Sequence, residues 1–159
     1  MTKGLLIATC MLLSLGLRAQ RFGYAFNHIS TDDGLGLQTN RIYSLLQDEK
    51  GFIWLGTANG LQRFDGGKFV SFDPRGTKGS PLPTVGIQQL AHAGKGRIWL
   101  VSNAQREFGI FDFSTFSYTI VPLKISGNMP ARAEYKLWQD SLGNTFINIT
   151  RYGKILVYD

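Results

Sequence analysis

Residues 47–69 read QDEKGFIWLGTANGLQRFDGGKF, and this stretch decides the fold. Asp48 stands where a turn begins, and Gly51 stands where a positive backbone angle is needed, which glycine adopts without steric cost. The apolar run FIWL predicts a short strand that is buried on both faces. Asn59-Gly60 is a strong hairpin signal, and Gly66-Gly67 predicts a further turn before KFVSF. The stretch therefore predicts hairpin-linked antiparallel strands that form a four-stranded meander.

The pattern returns twice, at intervals of about 45–47 residues. A turn glycine is followed three residues later by a large aromatic side chain in each copy: Gly51 and Trp54, Gly96 and Trp99, Gly143 and Phe146. Periods in this range are typical of β-propeller blades, each a small antiparallel sheet that cannot bury its faces alone. A β-helix is disfavoured because its coils are shorter. The sequence predicts an all-β chain of four-stranded propeller blades.

The predicted blades occupy about 41–72, 85–121 and 133–159, joined by loops at 73–84 and 122–132. The third blade has no fourth strand, so about three blades of an incomplete ring are expected, since closed propellers have four to eight. A strand at 22–29 is predicted to serve as the outer strand of a last blade. Either the sequence is a piece of a longer sensor, or an oligomer completes the ring.

GFIWLGTANGLQRFDG resembles the repeat of the two-component regulator propellers, and FNHISTDDGL resembles the segment that opens them. The resemblance covers most of the chain after residue 20. It implies the periplasmic or extracellular sensor region of a bacterial histidine kinase or hybrid two-component regulator, often one that recognises glycans and is anchored in the inner membrane. The sequence has no kinase or nucleotide-binding motif, so a kinase region would lie elsewhere.

The amino-terminal residues 1–19 are predicted to be a signal peptide, with Lys3, an apolar run at 4–17 and Ala19 before the cleavage site. Residues 20–159 would then form the periplasmic sensor domain. The net charge of +6 comes without a basic cluster, so nucleic acid is not a predicted partner.

Residues that recur in every blade are best explained by what every blade needs. Asp48 and Asp140 are predicted to cap turns, and Gly60 to form a hairpin turn. The recurring aromatic residues are predicted to pack between blades, with carbohydrate stacking as the alternative for Trp54 and Trp99. The two histidines are isolated and no nucleophile–base pair is recognisable, so catalytic residues, metal and cofactor are all predicted to be absent.

The ligand-binding prediction rests on the end of the blades where the turn between the second and third strands opens, which we call the upper end. Long loops at this end carry an excess of basic residues, and loops are where binding residues usually lie. The candidates are Arg75, Lys78, Arg106, Arg132 and Arg151. Arginine pairs bidentately with carboxylate or sulfate, so an acidic oligosaccharide is the predicted extracytoplasmic ligand, against the alternative of ordinary solvated charges.

Three functions follow in order of preference. The first is a ligand-sensing propeller of a two-component signalling protein, completed by further blades of a longer protein. The second is a propeller enzyme, a glycan lyase or hydrolase, which would need clustered His, Tyr and Arg or paired carboxylates. The third is a non-signalling interaction scaffold.

Overall fold

Antiparallel strands make up nearly all the regular structure of this chain. The computed structural model describes residues 25–76, 78–123 and 132–158, and the predicted signal peptide lies outside them. In these residues twelve strands form three sheets, which follow one another along the chain. The all-β class and the division into blades are as the sequence predicts.

The first blade is a four-stranded antiparallel meander in the order β1-β2-β3-β4. Its strands are β1 (Ile42–Gln47), β2 (Ile53–Thr57), β3 (Gly60–Phe64) and β4 (Phe69–Ser71). The observed hairpins fall at the predicted turns, because the turn residues act locally.

The second blade contains five strands in the order β5-β9-β8-β7-β6. They are β5 (Lys78–Gly79), β6 (Gln89–His92), β7 (Arg97–Ser102), β8 (Glu107–Asp112) and β9 (Ser117–Ile120). The last four form the predicted meander. β5 pairs parallel with β9, so the prediction of a plain loop at 73–84 is wrong. A short 3-10 helix, Pro74–Gly76, precedes β5.

The third blade is a three-stranded antiparallel sheet. Its strands are β10 (Tyr135–Gln139), β11 (Thr145–Ile149) and β12 (Lys154–Tyr158). All three lie within the predicted bounds.

The segment before the first blade differs from the prediction. Residues 25–29 are not a strand, and a short 3-10 helix follows at Thr31–Asp33, capped by Ser30. The chain then runs beside the first blade, where the Phe69 amide donates to the Leu35 carbonyl at 2.7 Å. The buried Gln62 side chain donates to the Gly36 carbonyl at 3.2 Å and accepts from the Gln38 amide at 3.2 Å. This segment therefore covers the face of the first sheet to which Gln62 points.

Two hydrophobic cores lie between successive sheets rather than within one sheet. The first joins blades one and two and contains Leu46, Trp54, Leu61, Leu82, Ile87, Leu90, Ile98, Leu100, Phe111 and Tyr118. The second joins blades two and three and contains Trp99, Val101, Phe108, Ala133, Tyr135, Leu137, Ile147 and Ile149. Blade two thus buries both faces of its sheet against its neighbours, which is the packing that propeller blades require, whereas Trp138, Ile155 and Val157 of blade three are exposed.

Aspartate side chains organise the turns. Asp48 Oδ1 accepts from the amides of Lys50 and Phe52 at 2.9 and 3.0 Å, and Gly51 has φ +86°. Asp140 accepts in the same way from Leu142 and Asn144, and Gly143 has φ +89°. The capping geometry predicted from the sequence is therefore present in blades one and three.

The Asp112 carboxylate holds the β8–β9 turn. Its Oδ1 accepts from the hydroxyl and amide of Ser114 and from the amide of Thr115. These bonds, the Ser114 hydroxyl first, lower the pKa of Asp112 from 3.8 to about 2. Hydrogen bonds to a carboxylate favour its charged form, so this turn is stabilised when Asp112 is ionised.

Asp112→Asn is expected to reduce the loss of stability that occurs as the pH falls into the acid range. Because the folded-state pKa lies below the ordinary value, the Asp112 charge contributes stability above about pH 4, and this contribution is lost as the pH falls towards 2. Thermal unfolding between pH 2 and 5 measures it. The same loss of melting temperature in parent and variant across this window would contradict the expectation.

Candidate ligand-binding sites

Three of the predicted arginines lie at the upper end of blades two and three. Arg106 ends the β7–β8 turn, and its amide donates to the Asn103 carbonyl at 3.2 Å. Arg151 lies in the β11–β12 turn, and Arg132 precedes β10. The three arginines are exposed, and each has a positive φ, between +53° and +65°. Positive φ is uncommon for a residue other than glycine, so the turns present these side chains in a defined direction.

Hydrogen bonds tie the segments of these arginines together. Asn103 Oδ1 accepts from the Tyr135 amide at 2.6 Å, which joins the β7–β8 turn to the start of β10. Glu134 and Thr150 bind each other twice, through the Thr150 amide and through its hydroxyl, both at 2.9 Å. The neighbours of Arg132 and Arg151 are thereby held side by side. Burial raises the pKa of the Tyr135 hydroxyl, and the nearby Arg106 charge opposes this effect.

The structure does not bring the other two candidates into this group. The Lys78 amide donates to the Phe116 carbonyl at 3.1 Å, and Lys78 pairs with Ser117. This is the opposite, lower end of the second blade, so the placement of Lys78 at the upper end is wrong. The cause is β5, which carries the chain along the outer strand β9. Arg75 lies in the short helix that leads into β5.

The positive charge at the upper end is smaller than the loop sequences predict. Lys78 is removed from it, and the exposed acidic residue Glu134 belongs to the segment of Arg132 and is bonded to Thr150, the neighbour of Arg151. A pocket of about 310 Å³ nevertheless lies beside Arg106, lined also by Phe108, Leu123 and Tyr135. This pocket combines the Arg106 cation and the acidic residue Glu107 with apolar walls.

A second cavity of about 360 Å³ opens at the lower end, between blades one and two. We call it the aromatic cleft. Its lining includes Phe52, Trp54, Arg63, Phe113 and Phe116. Trp54 and Phe113 stack with ring centroids 4.5 Å apart and planes 11° apart. The Arg63 guanidinium lies 4.3 Å from the Phe52 ring centroid.

Arg63 is not among the binding residues predicted from the sequence, although its position in the repeat distinguishes it. Arg63, Ile110 and Val157 are opposite Trp54, Trp99 and Phe146 in their sheets, so they occupy one repeat position. Two blades place an aliphatic residue there, and only the first of the three places a charge. A departure from a repeat is more informative about binding than a residue that every blade shares.

The two repeat tryptophans are packing residues in this structure. Trp54 and Trp99 are each 1% exposed and belong to the two inter-blade cores. The Trp54 indole donates to Asp48 Oδ2 at 2.8 Å, which satisfies its polar atom. Neither indole presents an open face for stacking on a sugar, in agreement with the packing role predicted for them.

In the described part of the chain, no group of three or more His, Cys, Asp or Glu side chains is placed to hold a metal ion. None of the helices in that part has the length and apolarity to span a membrane.

Comparison with known proteins identifies the repeat. Residues 36–59, from the segment beside β4 through β1 and β2 to the first hairpin, match the family model of the two component regulator propeller. These residues are similar to a repeat of this family. No curated protein matches the sequence significantly.

Two solved structures resemble this chain over most of its length. One is the extracellular domain of BT3049, a candidate hybrid two component system of B. thetaiotaomicron, with a TM-score of 0.62 and 19% identity over 79% of this chain. The other is the extracellular domain of BT4673, a candidate hybrid two component system of the same organism, with a TM-score of 0.56 and 27% identity over 76% of this chain. The matches cover 18% and 16% of those longer chains.

Proposed function

We propose that this chain is part of the ligand-sensing propeller of a two-component signalling protein, and that it works in the periplasm after removal of residues 1–19. The observation that carries the proposal is the regulator-propeller match at residues 36–59, which covers the first two strands of the first blade. The resemblance to two extracellular domains of candidate hybrid two component systems supports it. In such a protein, further blades complete the ring, and a kinase region elsewhere receives the signal.

The proposed ligand is an acidic oligosaccharide bound at the upper end by Arg106, Arg132 and Arg151. Guanidinium groups recognise carboxylate and sulfate through two parallel hydrogen bonds, which gives both strength and direction. The pocket beside Arg106 offers apolar walls for the sugar ring. Lys78 takes no part, because it lies at the other end.

Three of the turn aspartates are unsuited to be the general acid of glycan hydrolysis. Asp65 and Asp140 have lowered pKa values, caused chiefly by the Gly67 amide and by the Asn144 side chain respectively, as Asp112 has through Ser114. A general acid of a glycosidase needs the opposite, a raised pKa. These aspartates act as hydrogen-bond acceptors in turns.

Arg106→Ala and Arg151→Ala are each expected to weaken binding of uronate-containing or sulfated oligosaccharides by about tenfold or more. A hydrogen bond to a charged group contributes about 1.5–3 kcal/mol, and about 1.4 kcal/mol is a factor of ten. Titration calorimetry on the full-length protein measures the effect, which should shrink as salt is raised. Lys95→Ala is the control, since Lys95 is an exposed cation in the β6–β7 turn, at the lower end.

Equal affinity for neutral and acidic glycans, or no effect of either substitution, would refute the acidic ligand. The signalling part is tested separately by ligand-dependent phosphorylation of the full-length protein in membranes. Binding without any change in phosphorylation would favour the interaction scaffold, and cleavage of the bound oligosaccharide would favour the enzyme.

A further inference from the structure

We propose that the aromatic cleft is a second binding site, for a small carboxylate with a flat apolar body, and that Arg63 is the partner of the carboxylate. This site lies at the lower end, between blades one and two, and is separate from the arginines of the upper end. None of the upper-end arginines lines the aromatic cleft.

Arg63 is a charged residue at a position that packs between blades. It lies in β3 opposite Trp54, which is 1% exposed, and it is itself only partly exposed. The equivalent Ile110 packs against the second inter-blade core and shows that an aliphatic side chain satisfies this position between blades. A partly buried charge costs free energy unless it is paired, so its presence in one blade indicates a use other than packing.

The guanidinium of Arg63 has hydrogen-bonding capacity left over. Its Nε atom is buried and has no hydrogen-bond partner among the described residues. One face of the group lies over the Phe52 ring at 4.3 Å, and the Trp54 ring is 5.7 Å away. Nε is one of the two donors with which arginine grips a carboxylate side-on, so the missing partner matches a bidentate acceptor.

Two carboxylates of the turns in blade one are already engaged. Asp48 accepts the Lys50 and Phe52 amides at one oxygen and the Trp54 indole at the other. Asp65, whose pKa is lowered first by the Gly67 amide and only last by Arg63, accepts two turn amides. Neither aspartate can turn towards Arg63 without releasing its turn. The acceptor that Arg63 lacks would therefore come from a ligand.

The apolar walls fit a flat molecule. Phe113 is stacked on Trp54, and Phe116 stands at the opening with 45% of its surface exposed. Phe116 also has φ +50°, an unfavourable conformation for an aromatic residue, and such backbone strain is concentrated at binding sites. A volume of about 360 Å³ is at the small end of the range for ligand pockets, which suits a single ring.

The rim of the cleft favours an anion. Lys50 and Arg97 are exposed cations of the lining and Arg63 is a third cation, against the carboxylates of Asp48 and Glu49. The excess of cations would raise the local concentration of anions and make binding weaken with salt.

The test is titration of the full chain with two carboxylates, benzoate and glucuronate, and with their neutral counterparts, benzyl alcohol and glucose. Both protein NMR shifts and calorimetry can follow it. We expect benzoate to bind about tenfold or more tightly than benzyl alcohol, and glucuronate, which lacks a flat apolar body, to bind more weakly than benzoate. No preference for benzoate over benzyl alcohol, or tighter binding of glucuronate than of benzoate, would overturn the proposal, whatever the variants do.

Arg63→Met should remove this preference and keep the fold, because it gives blade one the apolar side chain that blades two and three have. Arg63→Lys keeps the positive charge but loses the planar guanidinium that pairs bidentately with a carboxylate, so the affinity for the carboxylate should fall several fold. Arg41→Met is the matched control and should bind as the parent does. Unchanged carboxylate binding in both Arg63 variants would refute the assignment. Failure of oligosaccharide binding at Arg106 and Arg151 would leave this result unaffected.

Discussion

Replacing Trp54 with alanine is expected to lower the free energy of unfolding by about 3–5 kcal/mol, the range for a buried aromatic side chain. The indole is 1% exposed and contacts the rings of Phe72, Phe111 and Phe113, with centroids 5.1, 5.7 and 4.5 Å away. It also donates to Asp48. Its removal opens a cavity in the core between blades one and two, so the loss includes the contact between two sheets.

Urea unfolding followed by circular dichroism measures the effect of Trp54→Ala. Trp54→Phe should cost less, since Phe146 holds this position in blade three. Trp138→Ala is the matched control, because Trp138 is 61% exposed and its truncation should cost little. A Trp54→Ala protein of unchanged stability that has lost ligand binding would contradict the packing role and support stacking on a sugar.

Gly109→Ala is expected to cost about 2–3 kcal/mol, because one added methyl group has no room. Gly109 lies in β8 between Leu100 of β7 and Ile120 of β9. A Cβ atom there would overlap the Thr119 carbonyl oxygen and come within 2.8 Å of the Tyr118 ring. Tyr118 is fully buried, so its ring cannot move aside without disturbing the first inter-blade core.

The melting temperature of Gly109→Ala tests this expectation. Gly67→Ala is the matched control: Gly67 lies in an exposed turn without positive φ, and its added Cβ would meet only Asp65 Oδ1 at 3.7 Å. If Gly109→Ala and Gly67→Ala both have the melting temperature of the parent, Gly109 is not a close-packing position.

The blades were predictable because their signals are local. Asp48 and Gly51 define a turn within a few residues, and Asn59-Gly60 fixes the next hairpin. The pairing of neighbouring strands then follows from the chain itself. β5 could not be predicted in this way, because its partner Ser117 lies far along the sequence from Lys78. The same holds for the contact of Gly36 with Gln62, which depends on a buried amide side chain.

The candidate sites were predictable only in part, for a related reason. The turn positions of Arg106 and Arg151 follow from the repeat, and the structure places both in turns at the upper end of their blades. Lys78 was misplaced because the prediction assumed that the loop after the fourth strand of a meander stays at the upper end and leads directly to the next blade. The aromatic cleft forms only where three turns from two blades come together, and no single stretch of sequence contains all three turns.

The parallel strand β5 has a consequence for contacts with extended peptides. Lys78 and Gly79 occupy the outer side of β9 at Ser117 and Tyr118, and the Ser80 amide also donates to the Tyr118 carbonyl at 2.9 Å. The backbone groups of this half of β9 are therefore already paired, and a peptide from another molecule cannot add to the sheet there. The chain blocks strand addition, and with it one route to amyloid-like stacking, by using the segment that enters the blade.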